Sequence, residues 1–167
     1  MMYLSQHKNG GVICRMGQTA KWVQGAESVY VLAQEAVNAG VSLATVVEQK
    51  GFGDTVDLAA LYTNGELDCP VRHPDPAHTY LTGTGLTHLG SAATRNAMHG
   101  NSDDMTDSMK IFQMGVEKGK PAAGEEGVQP EWFYKGNGTG MVAPGSVLPS
   151  PSFALDGGEE PEIAGFY

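Results

Sequence analysis

Basic residues are scarce in this chain. Ten lysines and arginines stand against nineteen aspartates and glutamates, a formal net charge of −9 over 167 residues. No basic patch is available to contact phosphates, which argues against nucleic acid or an anionic membrane as a partner. Cysteine is scarcer still: Cys14 and Cys69 are the only two. They lie far apart with no metal-ligand spacing, so neither a disulfide scaffold nor a zinc site is expected. Two reduced thiols fit a cytoplasmic protein. No apolar run approaches the about 18 residues that a membrane-spanning helix needs. Met1 to Lys8 lacks the apolar core of a signal peptide, and a cytosolic protein is the expectation. Internal repeats and low-complexity tracts are missing too.

What is present describes a globular chain. Hydrophobic residues make up 41% and charged residues 17%, enough apolar material for one ordinary domain or two small ones. Of the 23 glycines and 9 prolines, 10 and 6 lie in the last third of the chain, beyond Gly115, which predicts a loop-rich or β-rich second half.

The first seventy residues read as a small α+β unit. Tyr3-Leu4 and Val12 to Cys14 flank Asn9-Gly10, a pair suited to a type I′ hairpin turn, and Ala20 to Val23 makes a third strand. Ser28 is placed to cap a helix that ends at Gly40, with Tyr30, Ala33, Ala36 and Val37 on one face. Ser42 caps a second helix, Leu43 to Lys50, which stops at Gly51. A third runs from Asp57 to Thr63. The prolines at 70, 74 and 76 then favour extended backbone and mark a boundary. Domains are expected at 1–72 and 73–167.

Beyond the boundary, Ala77 to Leu81 reads as a strand that enters the turn Thr82-Gly-Thr-Gly-Leu-Thr-His88. Its glycines permit tight turning or close approach to a ligand, and His88 ends it where a polar side chain can face a cleft. Residues 89–98 look helical. A helix from Ser102 or Asp103 carries Met105, Met109, Phe112 and Val116 on one stripe, read as core. Trp132 to Lys135 is a strand, with Lys135 either turned inward or solvated. Gly136 to Gly140 is a tight loop; it has no Gly-Lys-Ser/Thr ending and no following helix, so it is not a P-loop. Met141-Val142 and Ser146 to Leu148 are short strand candidates.

The last stretch, Gly157-Gly-Glu-Glu-Pro-Glu-Ile-Ala-Gly-Phe-Tyr167, carries the most chemistry. On a strand, Glu160 and Glu162 point to the same face. Two carboxylates so close repel unless one protonates or a cation lies between them. Oxygen-only ligands suit Mg²⁺, Mn²⁺ or Ca²⁺ rather than zinc. The competing reading is a solvated acidic turn, and Pro161 favours it by removing a ladder donor.

Four segments together, Pro74-Asp-Pro-Ala-His78, Gly83-Thr-Gly-Leu-Thr-His-Leu-Gly-Ser91, Gln129-Pro-Glu-Trp-Phe-Tyr-Lys-Gly136 and Gly157-Gly-Glu-Glu-Pro-Glu-Ile-Ala-Gly165, resemble the fumarylacetoacetate hydrolase superfamily. The likeness is to its GguC-like branch, associated with sugar-acid catabolism, and it keeps the motif order through nearly the whole chain. It implies an α+β protein: a small N-terminal α+β domain followed by a mixed β-roll catalytic domain, usually homodimeric and binding Mg²⁺ or Mn²⁺. Glu160 and Glu162 match the Glu-x-Glu metal ligands, His88 the active-site histidine and Lys135 a lysine near the pocket. The family's third metal carboxylate would lie beyond Tyr167, so an N-terminal portion with an incomplete roll is expected, and an inactive fragment is one reading.

Members of the superfamily act on 2-oxo acids and related dicarbonyls. A divalent ion chelated by the 2-oxo group and its carboxylate polarises the carbonyl and stabilises an enolate. Loss of water from that state needs a base at C3 and an acid at the departing hydroxyl. The family's histidine commonly has a glutamate three residues on, forming a water-activating dyad; Ser91 stands at that position here. The resemblance therefore implies a dehydratase of a 2-keto-3-deoxy sugar acid, such as 2-keto-3-deoxyarabonate. A C–C hydrolase of an acylpyruvate is the alternative.

Overall fold

The computed structural model describes residues 1–84, 93, 105–129 and 131–155. They form helices and strands in two units: residues 1–71 with the described residues of 142–155, and residues 72–141.

In the first unit, β1 (Met2–His7), β2 (Val12–Met16) and β3 (Thr19–Val23) form an antiparallel meander. Two strands not expected from the sequence complete a five-stranded sheet in the order β4-β3-β2-β1-β5. They are β4 (Phe52–Thr55) and β5 (Leu67–Asp68), each antiparallel to its neighbour. Neither carries a strand-like pattern, since β4 contains Gly53 and Asp54 and β5 is only two residues long. Pairing with the two edges of the meander makes them strands. The β1–β2 turn also departs from the type I′ expectation. The Gly10 N–H donates to the His7 carbonyl at 3.1 Å, so Lys8 and Asn9 are its central residues. Among the described residues positive φ is confined to glycines, Gly10 and Gly11 included, whereas a type I′ turn needs it at both central positions. At Gly11 a side chain would also meet Trp22, with a Cβ 2.9 Å from the indole ring.

The sheet is covered on both faces because β2 alternates between them. Val12 and Cys14 join Val23, Leu32, Ala36 and Val47 in one core; Ile13 joins Ala20 and Leu67 in the other. Helices α1 (Val29–Ala39) and α2 (Leu43–Lys50) supply the first face, and α3 (Leu58–Thr63) packs Leu58 and Leu61 on the second. Local signals fix the helix limits. The hydroxyls of Ser28 and Ser42 accept from the N–H groups of Val31 and Thr45, both at 3.1 Å, and the Asp57 carboxylate accepts from Ala60 at 2.9 Å. Gly40 closes α1 in the left-handed region at φ 65°, as C-terminal glycines do. The buried stripe of α1 is Val29, Leu32 and Ala36, not the face expected from Tyr30; Val37 is 75% exposed. Among the described residues no single helix is long and apolar enough to cross a membrane. The pair α1 and α2 passes only when taken together across a 109° bend, and their buried residues belong to the core.

Residues 142–155 contain turns but no strand, so the candidates at 141–142 and 146–148 are not realised. Pro144 and Pro149 lack ladder donors, and Val147 and Leu148 are exposed.

The second unit holds a two-stranded antiparallel ribbon of β6 (Tyr80–Thr84) and β7 (Trp132–Asn137). The expected strand from Ala77 begins later because Pro76–His78 form a 3-10 turn, capped by the Asp75 carboxylate. The methionine-bearing helix begins later too: α4 spans Asp107–Lys118, with the Thr106 hydroxyl accepting from Met109 at 3.3 Å. Met105 lies outside it. No α4 residue is fully buried, and Val116 is exposed, so this stripe is not a closed core. A bond of 2.7 Å from the Ser108 hydroxyl to the Glu131 carboxylate ties α4 to the start of β7.

Candidate functional site

Three of the four segments that carry the resemblance have described residues in the second unit, and these meet. The ladder sets Gly83 opposite Phe133 and Thr82 opposite Tyr134, but Leu81 opposite Gly136. Lys135 is therefore the extra residue of a β-bulge, a device that bends a strand and re-aims a side chain. Close by, the 3-10 turn at Pro76 packs on a second one, Gly138–Gly140. A Cβ at Gly138 would lie 3.1 Å from the Pro76 Cα and carbonyl oxygen, so a side chain here would force the two turns apart by a few tenths of an ångström.

Lys135 is exposed, which decides between the inward and solvated readings in favour of the second. Its ammonium sits 5.4 Å from the centroid of the Phe133 ring. Both side chains pass over Gly83, which is buried beneath them. A Cβ there would stand 2.6 Å from the Lys135 Cε and 2.7 Å from the Phe133 Cε2. The sequence pointed to Lys135 but not to its surroundings. The alternation Phe133-Tyr-Lys135 was the available signal, because it puts the ring and the amine on one side of a strand. The bulge and the opposing glycine depend on register, which the sequence does not display.

His88, Glu160 and Glu162 lie outside the described residues, as do the helix expected at 89–98 (apart from residue 93) and the strand expected at the end of the chain. Among the described residues no group of three or more His, Cys, Asp or Glu side chains could hold a metal ion.

The Pro-rich boundary contains a cluster that sequence reasoning did not single out. The Asp75 carboxylate accepts from the Ala77 N–H at 2.9 Å and lies 3.0 Å from His78 Nδ1. The His73 and His78 rings stack with centroids 4.8 Å apart. The Asp75 carboxyl is held below the usual aspartate range, chiefly by the Ala77 bond and then by His78. The cluster is open to water, and its immediate work is to cap the turn that packs on Gly138.

The first unit has an open cleft of about 720 Å³ between β2, β3 and α3, lined by Arg15, Gln18, Val56, Asp57 and Tyr62 among others. Its two charged groups are already engaged. Arg15 stacks 4.3 Å over Tyr3 and donates to the Gly17 carbonyl at 2.8 Å, while Asp57 caps α3. None of the sequence-predicted site residues lines it. Both cysteines are buried and are not joined in a disulfide, and burial pushes the Cys14 thiol up, with Glu48 adding to the effect. A buried neutral thiol is inert.

In comparisons with known proteins, no family model, no curated protein and no solved structure matches the chain.

Proposed function

We propose that the chain is a divalent-metal-dependent lyase of the fumarylacetoacetate hydrolase type, which dehydrates a 2-keto-3-deoxy sugar acid such as 2-keto-3-deoxyarabonate. The motif order supports the reading. The single observation that carries it is the β6–β7 pairing, which joins two segments of the resemblance so that Lys135 lies over the first glycine of the Gly-Thr-Gly segment; that glycine is a residue of strand β6 and not, as expected, of a turn from Thr82.

Glu160 and Glu162 would hold Mg²⁺ or Mn²⁺, with Ca²⁺ an acceptable substitute, because an oxygen-only donor pair suits hard cations. When bound, such an ion supplies Lewis-acid polarisation of the 2-oxo group. The chain's own residues would do the rest. Lys135 offers a cation to the substrate carboxylate. His88 moves the proton that leaves C3 or the one that joins the departing C4 hydroxyl. Breaking the C3–H and C4–O bonds releases one water and leaves a 5-hydroxy-3-en-2-oxo acid; tautomerisation, which moves one C5 hydrogen and the C5 hydroxyl proton to C3 and C4, then gives the semialdehyde. Ser91 in place of the dyad glutamate disfavours activating a second water for C–C hydrolysis.

The test is incubation of the chain with Mg²⁺ and 2-keto-3-deoxyarabonate, followed by assay for the semialdehyde product. Formation of that product, lost in Glu160→Gln and Glu162→Gln, is expected. Cleavage of an acylpyruvate instead would reassign the chain as a C–C hydrolase. Turnover of neither substrate, with no stoichiometric Mn²⁺ binding by calorimetry, would remove the enzymatic reading.

A further inference from the structure

We propose that Gly83 and Phe133 are positioning residues: together they form a seat that sets the Lys135 ammonium for an anionic ligand. The inference rests on the proposed 2-oxo-acid reading for the identity of that anion, but the seat itself stands on geometry. An exposed lysine ordinarily samples many rotamers and is held by nothing. Lys135 differs in three ways. It is the extra residue of the β6–β7 bulge, so its side chain leaves the strand at a point where the ladder is interrupted. Its stem crosses Gly83, where a side chain would have to displace the Lys135 Cε and the Phe133 ring. Its ammonium rests 5.4 Å from the Phe133 centroid, within the range of a cation–π contact.

The φ of Gly83 is not in the left-handed region, so a side chain there would act by displacing the Lys135 stem and the Phe133 ring and not by straining the backbone. Among the described residues no carboxylate pairs with Lys135. The positive charge is held in place by an aromatic face and left available for an external carboxylate.

Nuclear magnetic resonance on the full chain tests this without any turnover, with the lysine CεH₂ groups labelled with ¹³C and Lys135→Arg identifying the resonance. In the wild type the Lys135 ε-protons should be shifted upfield by the Phe133 ring. Phe133→Tyr should keep that shift, Phe133→Leu should abolish it, and Gly83→Ala should move it while the amides of the first unit stay unchanged. If Gly83→Ala disrupts the ribbon, the Phe133 pair still decides. A wild-type resonance at the free-lysine position, unaffected by Phe133→Leu, would overturn the seat. In a second arm, 2-oxobutyrate should perturb the Lys135 resonance and bind several-fold more weakly to Phe133→Leu. A ring-shifted Lys135 that ignores 2-oxobutyrate would uphold the seat and count against the 2-oxo-acid reading.

Discussion

The side-chain carbonyl of Gln6 accepts a hydrogen bond of 2.9 Å from the backbone N–H of Val29, the first residue of α1. Helix N-termini leave such donors without intrahelical partners, and here a strand residue supplies one. The same Gln6 donates through Nε2 to the carbonyls of His7, Gly11 and Glu27 at 3.1 to 3.2 Å. One buried side chain thus ties β1, the turn after it and the helix entry together. Replacing it with leucine strands the buried Val29 donor and removes a donor from three part-buried carbonyls. The expected loss is about 2 to 3 kcal/mol, read as a lower urea midpoint at unchanged slope.

Ser28 caps the same helix through its hydroxyl. Ser28→Ala should cost about 1 kcal/mol, and Ser28→Asp should restore most of it. Chemical denaturation followed by circular dichroism measures both. A Ser28→Ala variant as stable as wild type would mean that Gln6 alone secures the helix entry.

Cys14 is buried in the α1–α2 core, and its pKa is raised by desolvation first and by Glu48 second. A raised folded-state value means that the folded chain keeps a proton which the unfolded chain gives up. The resulting stability is fully present below the unfolded thiol value, about 8.5, and is lost as pH rises through the folded value. Stability should therefore fall on the alkaline side, and less steeply in Cys14→Ala measured against its own neutral-pH stability. A thiol reagent at neutral pH should label Cys14 only as fast as the chain opens.

Asp75 has the opposite sign. Its carboxylate is favoured by the Ala77 N–H and then by His78. A depressed value supports the turn above the ordinary aspartate range, about 3.9, and the support is lost as pH falls through the folded value. A carboxyl-carbon titration should place the Asp75 midpoint below that range. His78→Ala should move it upward only in part, because the Ala77 bond is the larger cause. A midpoint at the ordinary value would remove this picture of the turn.

Much of the first unit could be read in advance because its signals are local. Ser28, Ser42, Gly40 and Gly51 bound their helices through hydrogen bonds within a few residues, and β2 alternates between apolar faces within five positions. Where two readings of a pattern were nearly equal, packing chose. The α1 stripe starts at Val29, one residue before the expected Tyr30, because Val29 enters the core beside Gln6. Val147 and Leu148 are apolar enough for a strand, yet nothing pairs with them among the described residues.

For the candidate site, the sequence by itself determined which residue types are on offer: a lysine two residues after a phenylalanine, a glycine-rich segment, a histidine and two glutamates one residue apart. Short spacings carry that kind of information because side-chain direction repeats every second residue along a strand. Only the tertiary structure decided that Lys135 crosses Gly83 and rests against Phe133. That contact follows from the register of two strands distant in the chain and from a bulge of one residue between them. A one-residue slip would turn each side chain to the other face.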